Sequence, residues 1–386
     1  MTTYSKPQFL VTSFLVLVLV DNIFIQSGAS VKFTDVIQTS GIQFTHEDGK
    51  SYKKYFTETL GSGVALLDYD NDNDLDIYFV NGSSLDNSKT VRAYNHLYRN
   101  DGNLTFTDVT MESQTGNQGC GTGVCVGDYN NDGWLDMYVT NFRSNVLYRN
   151  NKDGTFTDVT ETANVDCQKW STGCSFSDVD GDGDLDLYVA NYVDFSIERH
   201  IPCRVNGILA YCSPRVYDGL KDVFFRNNGD GTFTDVAAQA GVVNKRYTKA
   251  VVWGDYDNDD DPDLYVSCHG QPNRLYRNNG DGTFSDVTAS TGVLDDASRK
   301  SMQVLFNDFN GDRLPDLFVT NDTDANGFYL NRGNGTFKPF SGPSGLSTTD
   351  GSMGIALGDF NKDGLTDLIY TNFAAEVNTL ATLVDN

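Results

Sequence analysis

A nine-residue acidic phrase recurs six times along the chain. It first reads Asp68-Tyr-Asp70-Asn-Asp72-Asn-Asp74-Leu-Asp76 and returns from Asp128, Asp178, Asp255, Asp308 and Asp359. Every copy sets an oxygen-bearing side chain at positions 1, 3, 5 and 9, between two apolar or aromatic runs. Hard oxygens at alternate positions of a tight loop suit Ca2+, which takes six to eight oxygen ligands at about 2.3–2.6 Å. Successive copies start 60, 50, 77, 53 and 51 residues apart, and a period near 50 indicates a propeller or a similar array.

One unit can be followed from Val251 to Val287. Val251-Val-Trp-Gly254 leads into the loop from Asp255 to Asp263, and Leu264-Tyr-Val-Ser267 leaves it. Arg274-Leu-Tyr-Arg-Asn278 is a third run, the turn Asn279-Gly-Asp-Gly282 follows, and Thr283-Phe-Ser-Asp-Val287 is the fourth. Short β-branched and aromatic runs bounded by Gly, Asn and Asp read as strands, and four of them make one propeller blade. The turn returns at Asp153-Gly154, Asn228-Gly229 and Asn334-Gly335, with the variant Asp101-Gly102. Asn-Gly and Asp-Gly tolerate positive φ and so close hairpins. The Phe and Val after each turn are expected to fill the space between blades. No segment reads as an amphipathic helix. The expected fold is all-β: a β-propeller of four-stranded blades over residues 30–386, six repeats visible, of six- or seven-bladed type. Insertions at 81–94 and 190–220 lengthen the first and third repeats. Long loops on a rigid scaffold are where binding specificity resides.

The acidic phrase resembles the first nine positions of an EF-hand loop without its helices. Side chains at positions 1, 3 and 5 are expected to point inward, position 7 to offer its carbonyl, and position 9 to close the site. The candidate ligands are Asp68, Asp70, Asp72, Asp74 and Asp76 in the first loop and Asp128, Asn130, Asp132 and Asp136 in the second. The third offers Asp178, Asp180, Asp182, Asp184 and Asp186, and the fourth Asp255, Asp257, Asp259, Asp261 and Asp263. The fifth offers Asp308, Asn310, Asp312 and Asp316, and the sixth Asp359, Asn361, Asp363 and Asp367. Position 6 favours Gly because the chain reverses there with positive φ. Gly133, Gly183 and Gly364 meet this, and Asn73 and Asp260 belong to residue types that tolerate it. The fifth loop has Arg313 there and Pro315 at position 8, so its cation is expected to be weak or absent. Up to six Ca2+ ions are implied, structural and not catalytic.

The six loops together hold 25 aspartates, equal in size to the net charge of −25. Clustered carboxylates repel one another unless a cation sits among them, so the charge reads as metal sites. The same balance excludes nucleic acid as a partner, because phosphates demand Lys and Arg. Residues 1–29 carry Lys6, the apolar run Phe9 to Val20 and small residues at Ser27 and Ala29, the layout of a cleavable secretory signal peptide. The run is short for a bilayer span, and no other span follows, so no membrane insertion is expected once the signal is removed; the alternative is an uncleaved membrane anchor. Seven cysteines fit an exported chain. Their spacing suggests the pairs Cys203–Cys212, Cys167–Cys174 and Cys120–Cys125, leaving Cys268 as a small buried filler.

The run Gly127-Asp-Tyr-Asn-Asn-Asp-Gly-Trp-Leu-Asp136, with Leu-Tyr-Arg-Asn and Asp153-Gly-Thr-Phe-Thr-Asp-Val159, resembles the FG-GAP, or VCBS, repeats of integrin α-subunit propellers. The segment from Cys203-Arg-Val-Asn-Gly to Tyr211-Cys-Ser-Pro-Arg-Val-Tyr-Asp-Gly219 is similar to an insertion of the cartilage acidic protein family, whose bacterial members add an ASPIC/UnbV domain. That resemblance implies a calcium-binding propeller, usually seven-bladed, in adhesion or extracellular recognition, and brings no catalytic residue. The ASPIC/UnbV domain is absent, and after Phe373 the expected Tyr-Arg-Asn and Gly-Thr-Phe phrases do not follow. The chain therefore reads as C-terminally truncated. Val31-Lys-Phe-Thr-Asp-Val36 resembles the last strand of a unit and either closes a six-bladed ring or leaves a gap for a seventh blade. The leading expectation is a secreted adhesion or recognition module, not an enzyme, with an extracellular protein or glycan ligand. The alternative is a calcium-dependent carbohydrate-active lyase or hydrolase. His46, His96, His200 and His269 form no recognisable nucleophile or metal motif, and of these His200, in the long insertion, is the one to test.

Overall fold

The computed structural model describes residues 32–85, 93–295, 299–349, 351–372 and 379–381. The leader at 1–29, the middle of the first insertion, and residues 373–378 and 382–386 lie outside the described residues. Five units are antiparallel and four-stranded, each strand pairing with the next of its unit, although in the third unit the insertion separates Asp186–Asn191 from its partner Val223–Asn227. The fourth unit runs Thr248–Gly254, Asp263–Cys268, Arg274–Asn278 and Phe284–Asp286, within a few residues of the expected strands. The sixth unit shows three strands, Ser352–Gly358, Asp367–Asn372 and Thr379–Ala381. The only helices among the described residues are turns of three or four residues.

First strands of successive units lie side by side, from Val64–Leu67 through Cys120–Gly127, Lys169–Ser177, Thr248–Gly254 and Ser301–Asn307 to Ser352–Gly358. Second strands are apolar on both faces because each is sandwiched between neighbours. Side chains alternate across a strand, so Leu187 and Val189 of Asp186–Asn191 join one core cluster while Tyr188 joins the next. Leu264 and Val266 of the fourth unit share that second cluster with Tyr188, and Tyr265 passes into the one after. Each such buried side chain contributes roughly 1.5–3 kcal/mol. The Phe of each Gly-Thr-Phe turn packs as expected, Phe156 against Tyr69 and Phe233 against Tyr129 of the preceding unit.

Asparagines fasten the units at both rims. Asn150, Asn227, Asn278 and Asn331, which end third strands, donate Nδ2 to the carbonyls of Tyr69, Tyr129, Val179 and Tyr256 at 2.7–2.8 Å. Each acceptor is position 2 of an acidic loop in the preceding unit. At the other rim Asn145 accepts from the Asn141 N–H and donates to Ser171 Oγ of the next unit at 2.9 Å. Asn273 and Asn326 do the same toward Ser301 and Ser352.

The chain start meets the sixth unit: Phe33 packs edge-on to Phe360 of the sixth acidic loop, ring centroids 5.9 Å apart. Residues 32–36 carry no strand hydrogen bonds, but Asp35 caps the Ile37 N–H, as Asp108 and Asp158 cap the residues after fourth strands. The insertion at 190–220 folds as a small hairpin, Arg204–Val205 with Ile208–Leu209, bridged by Cys203–Cys212. It closes over an aromatic cluster in which Phe56 packs on Trp170, Tyr192 and Tyr217.

Two expected disulfides are not formed: Cys120, Cys125, Cys167 and Cys174 are free thiols, as is Cys268. Cys120 and Cys125 lie on one extended strand. Five residues of strand separate Cα atoms by about 16 Å, against the 4.4–6.8 Å or so that a disulfide spans. Cys174 stands inside Lys169–Ser177 with Cys167 before its start, and the same extension keeps them apart. Cys268 is wholly buried, in its expected filler role.

Replacing Asn278 with Ala removes the donor to the Val179 carbonyl and leaves a buried acceptor unpaired. The expected cost is about 1–3 kcal/mol, read by urea unfolding. A loss within error of zero would refute the fastening role.

Candidate metal centres

Each acidic loop starts where a first strand ends and finishes on the first residue of the second strand. Its own carboxylates fold it. Asp68 Oδ1 and Oδ2 accept from the N–H groups of Asp72 and Asn73 at 3.0 and 2.9 Å. Asp128, Asp255, Asp308 and Asp359 bracket positions 5 and 6 likewise. Position 5 accepts the N–H of position 7 in every loop, as Asp182 does from Asp184 at 2.9 Å. Position 6 has positive φ in all six loops, Arg313 included. Position 4 also has positive φ, at Asn71, Asn131, Gly181, Asn258, Gly311 and Lys362. The repeated Asn and Gly there were the available signal, and sequence reasoning missed it.

Position 9 is the deepest residue. Asp76, Asp136, Asp263, Asp316 and Asp367 have 0 % exposure. Oδ1 of Asp76, Asp136, Asp186, Asp263 and Asp316 accepts at 2.8 Å from the N–H of the asparagine that ends the third strand. In the first, fourth, fifth and sixth loops Oδ2 accepts from the N–H of position 2. Position 9 therefore ties the loop to its own blade as well as facing the site. Burial pushes the carboxyls of Asp76, Asp136 and Asp186 up to about 7 and Asp263 to about 8.

Three loops gather carboxylates with oxygens within 4.8 Å of one another: Asp68, Asp70 and Asp76; Asp178, Asp180 and Asp182; and Asp255, Asp257 and Asp259. Buried oxygens without a hydrogen-bond partner point the same way: Asp70 Oδ1, Asp178 Oδ1 and Asp257 Oδ1, with Asp136 Oδ2 and Asp186 Oδ2. Such an atom is costly unless an ion or water meets it. Burial, and then the neighbouring Asp72 and Asp68, pushes the Asp70 carboxyl up, and Asp257 is raised by burial with Asp259 and Asp255. A divalent cation reverses both effects. The donor sets of the first, third and fourth loops thus fit a hard cation.

The remaining candidates fall elsewhere. Asp74, Asp184 and Asp261, at position 7, lie outside the three clusters. Each faces the hairpin of its own unit: Asp184 Oδ2 is 2.8 Å from where a Cβ on Gly229 would stand, and Asp261 Oδ2 is 3.0 Å from the same point on Gly280. Asp184 also accepts from Asn131 Nδ2 of the second loop at 2.7 Å. In the fifth and sixth loops Asn310 and Asn361 donate their amides to Asp312 and Asp363 at 3.0 and 2.8 Å, occupying oxygens a cation would use. In the second, Lys152 Nζ stands 3.4 Å from Asp132 Oδ2.

Units whose inner strands adjoin in sequence order, each turning through a loop on one common rim, define a β-propeller. The FG-GAP-like repeat family matches residues 68–139, 128–189, 216–266, 266–319 and 308–370, and the chain belongs to that family. Cartilage acidic protein 1 of Mus musculus is 31% identical over 143 residues, covering 36% of this chain and 22% of the relative. The Homo sapiens protein of the same name is 31% identical over 143 residues, covering 36% and 21%. The matched stretch thus spans about a fifth of those relatives' length. Among solved structures, an Agrocybe aegerita lectin recognising non-reducing terminal N-acetylglucosamine aligns with TM-score 0.46 and 18% identity, covering 81% of this chain and 75% of that one. YCF48 bound to D1 peptide aligns with TM-score 0.44 and 8% identity, covering 80% and 75%.

Arg313 holds φ +69° at position 6, a conformation that costs an L-residue roughly 1–2 kcal/mol. Arg313→Gly is expected to raise stability by about 1 kcal/mol, measured by the urea midpoint. A lower midpoint would show that the arginine contributes contacts outweighing its strain.

Proposed function

We propose that the chain is a secreted, calcium-stabilised recognition module that binds an extracellular protein or glycan through the rim opposite its metal loops. The separation of the two rims carries this reading. Acidic loops join first strands to second strands, whereas both insertions leave from the far ends of second strands, at 81 and 191. Both rims fasten the blades, but the acidic loops repeat on one rim, whereas the insertions vary the other from unit to unit.

The insertion at 190–220 is built to be rigid. Tyr211 OH donates to Glu58 Oε2 at 2.9 Å, Lys54 Nζ lies 4.7 Å from the Tyr211 ring, and the Cys203–Cys212 bridge closes the hairpin. A preorganised loop loses little entropy on binding. Calcium would be held by the clusters of the first, third and fourth loops and would act by cancelling carboxylate repulsion. The leader-like apolar run and the similarity to cartilage acidic proteins support an extracellular setting. No helix among the described residues is long and apolar enough to cross a membrane. The relatives found are not known enzymes, and His200, the histidine singled out in the insertion, is engaged with the Lys53 carbonyl at 2.8 Å.

Chelation is expected to lower the melting temperature by 5 °C or more, on the order of the 2–3 kcal/mol that a ligand at 100 times its Kd supplies. Asp178→Asn with Asp180→Asn should abolish part of that shift. A melt identical with and without calcium would remove the metal from this reading. Probed on immobilised glycans and extracellular-matrix proteins, the calcium-loaded chain should bind without releasing product. Replacing residues 205–208, the tip of the hairpin, by a short Gly-Ser link should weaken that binding without moving the melting temperature. Product release would favour the carbohydrate-active enzyme instead.

A further inference from the structure

Every unit opens its first strand with a short phrase whose second residue is Ser62, Thr122, Thr172, Lys249, Met302 and Met353 in turn. In the first three units that hydroxyl fastens the next blade. Ser62 Oγ donates to the Gly121 carbonyl at 3.1 Å, Thr172 Oγ1 to the Thr248 carbonyl at 2.8 Å, and Thr122 Oγ1 to the Ser171 carbonyl. The fourth unit puts a lysine in this place. Lys249 sits in a bulge, because the pairing slips between Thr248–Cys268 and Ala250–Ser267. The same slip flanks Thr122 and Thr172, so the backbone is that of the repeat and the longer side chain alone carries the amine to Tyr192 at the insertion rim.

There Lys249 Nζ lies 3.4 Å from the centre of the Tyr192 ring. The residue is only 8 % exposed, and its amine has no hydrogen bond or ion pair with any described residue. A nearly buried ammonium with no anion in ion-pair contact is costly, and nothing in the fold requires it, since threonine serves the same position twice. Its surroundings are specific. The His269 ring lies parallel to Tyr192, 6.4 Å between centroids, with Nδ1 3.5 Å from the Tyr192 hydroxyl. Arg215, from the long insertion, brings Nη2 to 3.9 Å from where a Cβ on Gly270 would stand. Lys300 pairs with His269 through a backbone bridge, and its amine bonds Thr323 Oγ1. Asp322 acts on Lys249 as the nearby opposite charge.

Burial lowers the Lys249 amine to about 7. Burial, and then Lys249, Lys300 and Arg215, holds His269 neutral, down at about 3. In a chain of net charge −25, Lys249, Lys300 and Arg215 gather around one imidazole, with Asp322 beside them.

We propose that Lys249 anchors a binding site for an acidic saccharide, its amine taking the sugar carboxylate while His269, Asp322 and Arg215 take hydroxyl groups. The proposal rests on the recognition-module reading and names its ligand class. A single recessed amine accommodates one anionic group. A neutral imidazole both donates and accepts, a carboxylate accepts and a guanidinium donates, which suits the mixed needs of sugar hydroxyls. An acidic peptide would present repeated charges to a strongly acidic molecule and meet repulsion outside the one cationic spot.

Titration calorimetry of the calcium-loaded full chain with a uronic-acid disaccharide and its neutral counterpart tests this. Binding of the acidic sugar at least tenfold tighter than the neutral one is expected. Lys249→Thr, which restores the residue used in the second and third units, should keep the melting temperature and weaken the acidic sugar at least tenfold. Where that variant fails to fold, 13C-methylation of the wild-type lysines supplies the second readout: the acidic sugar should shift the Lys249 resonance. Equal binding by wild type and Lys249→Thr, or an unmoved resonance, would overturn this site and leave the module reading standing. Lys249-dependent capture of an aspartate-rich peptide in preference to the sugar would overturn the ligand class. Failure of the chain to bind any immobilised glycan or matrix protein would overturn both readings.

Discussion

Everything in this molecule leans on one repeated connection: the buried aspartate at position 9 holds the N–H of the asparagine that ends the third strand, and that asparagine reaches back to the preceding acidic loop. Asp186, Asn227 and the Tyr129 carbonyl form one such chain, and Asp263, Asn278 and the Val179 carbonyl the next. The loop that could hold a cation is therefore also the joint between blades. A cation that relieved the repulsion among Asp255, Asp257 and Asp259 would tighten the packing of the fourth and fifth units, because Tyr256 in the same loop accepts from Asn331. A cation bound there would couple its own affinity to the packing of adjacent blades.

The opposite rim uses the same device with different residues. Asn145, Asn273 and Asn326 span from one blade to a serine of the next. In the third unit Asp222 stands in the asparagine's place and accepts from Thr248 Oγ1 at 2.9 Å, its carboxyl pushed up to about 7 by burial. With both rims fastened, a departure such as Lys249 can be tolerated. One inter-blade hydroxyl is missing there, yet Ser267 Oγ donates to the Met302 carbonyl at 2.9 Å and holds the same seam. Scaffold redundancy is what lets a repeat protein place a costly side chain where a ligand can use it.

Much of the architecture was legible in the chain because its signals are local. The strand–loop–strand–hairpin order of a unit follows from alternating apolar runs and from Asn-Gly turns, and positive φ at position 6 follows from the backbone reversal. The two disulfides expected at Cys120–Cys125 and Cys167–Cys174 failed for an equally plain reason. Spacing along the chain was read as nearness, while extended strands carry such residues apart. The fastening asparagines were visible at the ends of the third runs, as in Leu-Tyr-Arg-Asn150 and Leu-Tyr-Arg-Asn278, but their acceptors lie 75–99 residues away, and no local pattern points there.

The candidate sites divide in the same manner. Residue type and interval alone determined that six acidic turns exist, that oxygen ligands alternate within them, and that strands flank them, since all of this is settled within nine residues. Only the tertiary structure decided which turns gather their carboxylates. That depends on where Asn310, Asn361 and Lys152 send their nitrogens and on how position 7 leans toward its own hairpin. It also decided that His269, not His200, keeps company with Lys249 and Tyr192. Those three come from different blades or different strands, and side chains so distant along the chain meet only when the ring places their strand ends at one rim.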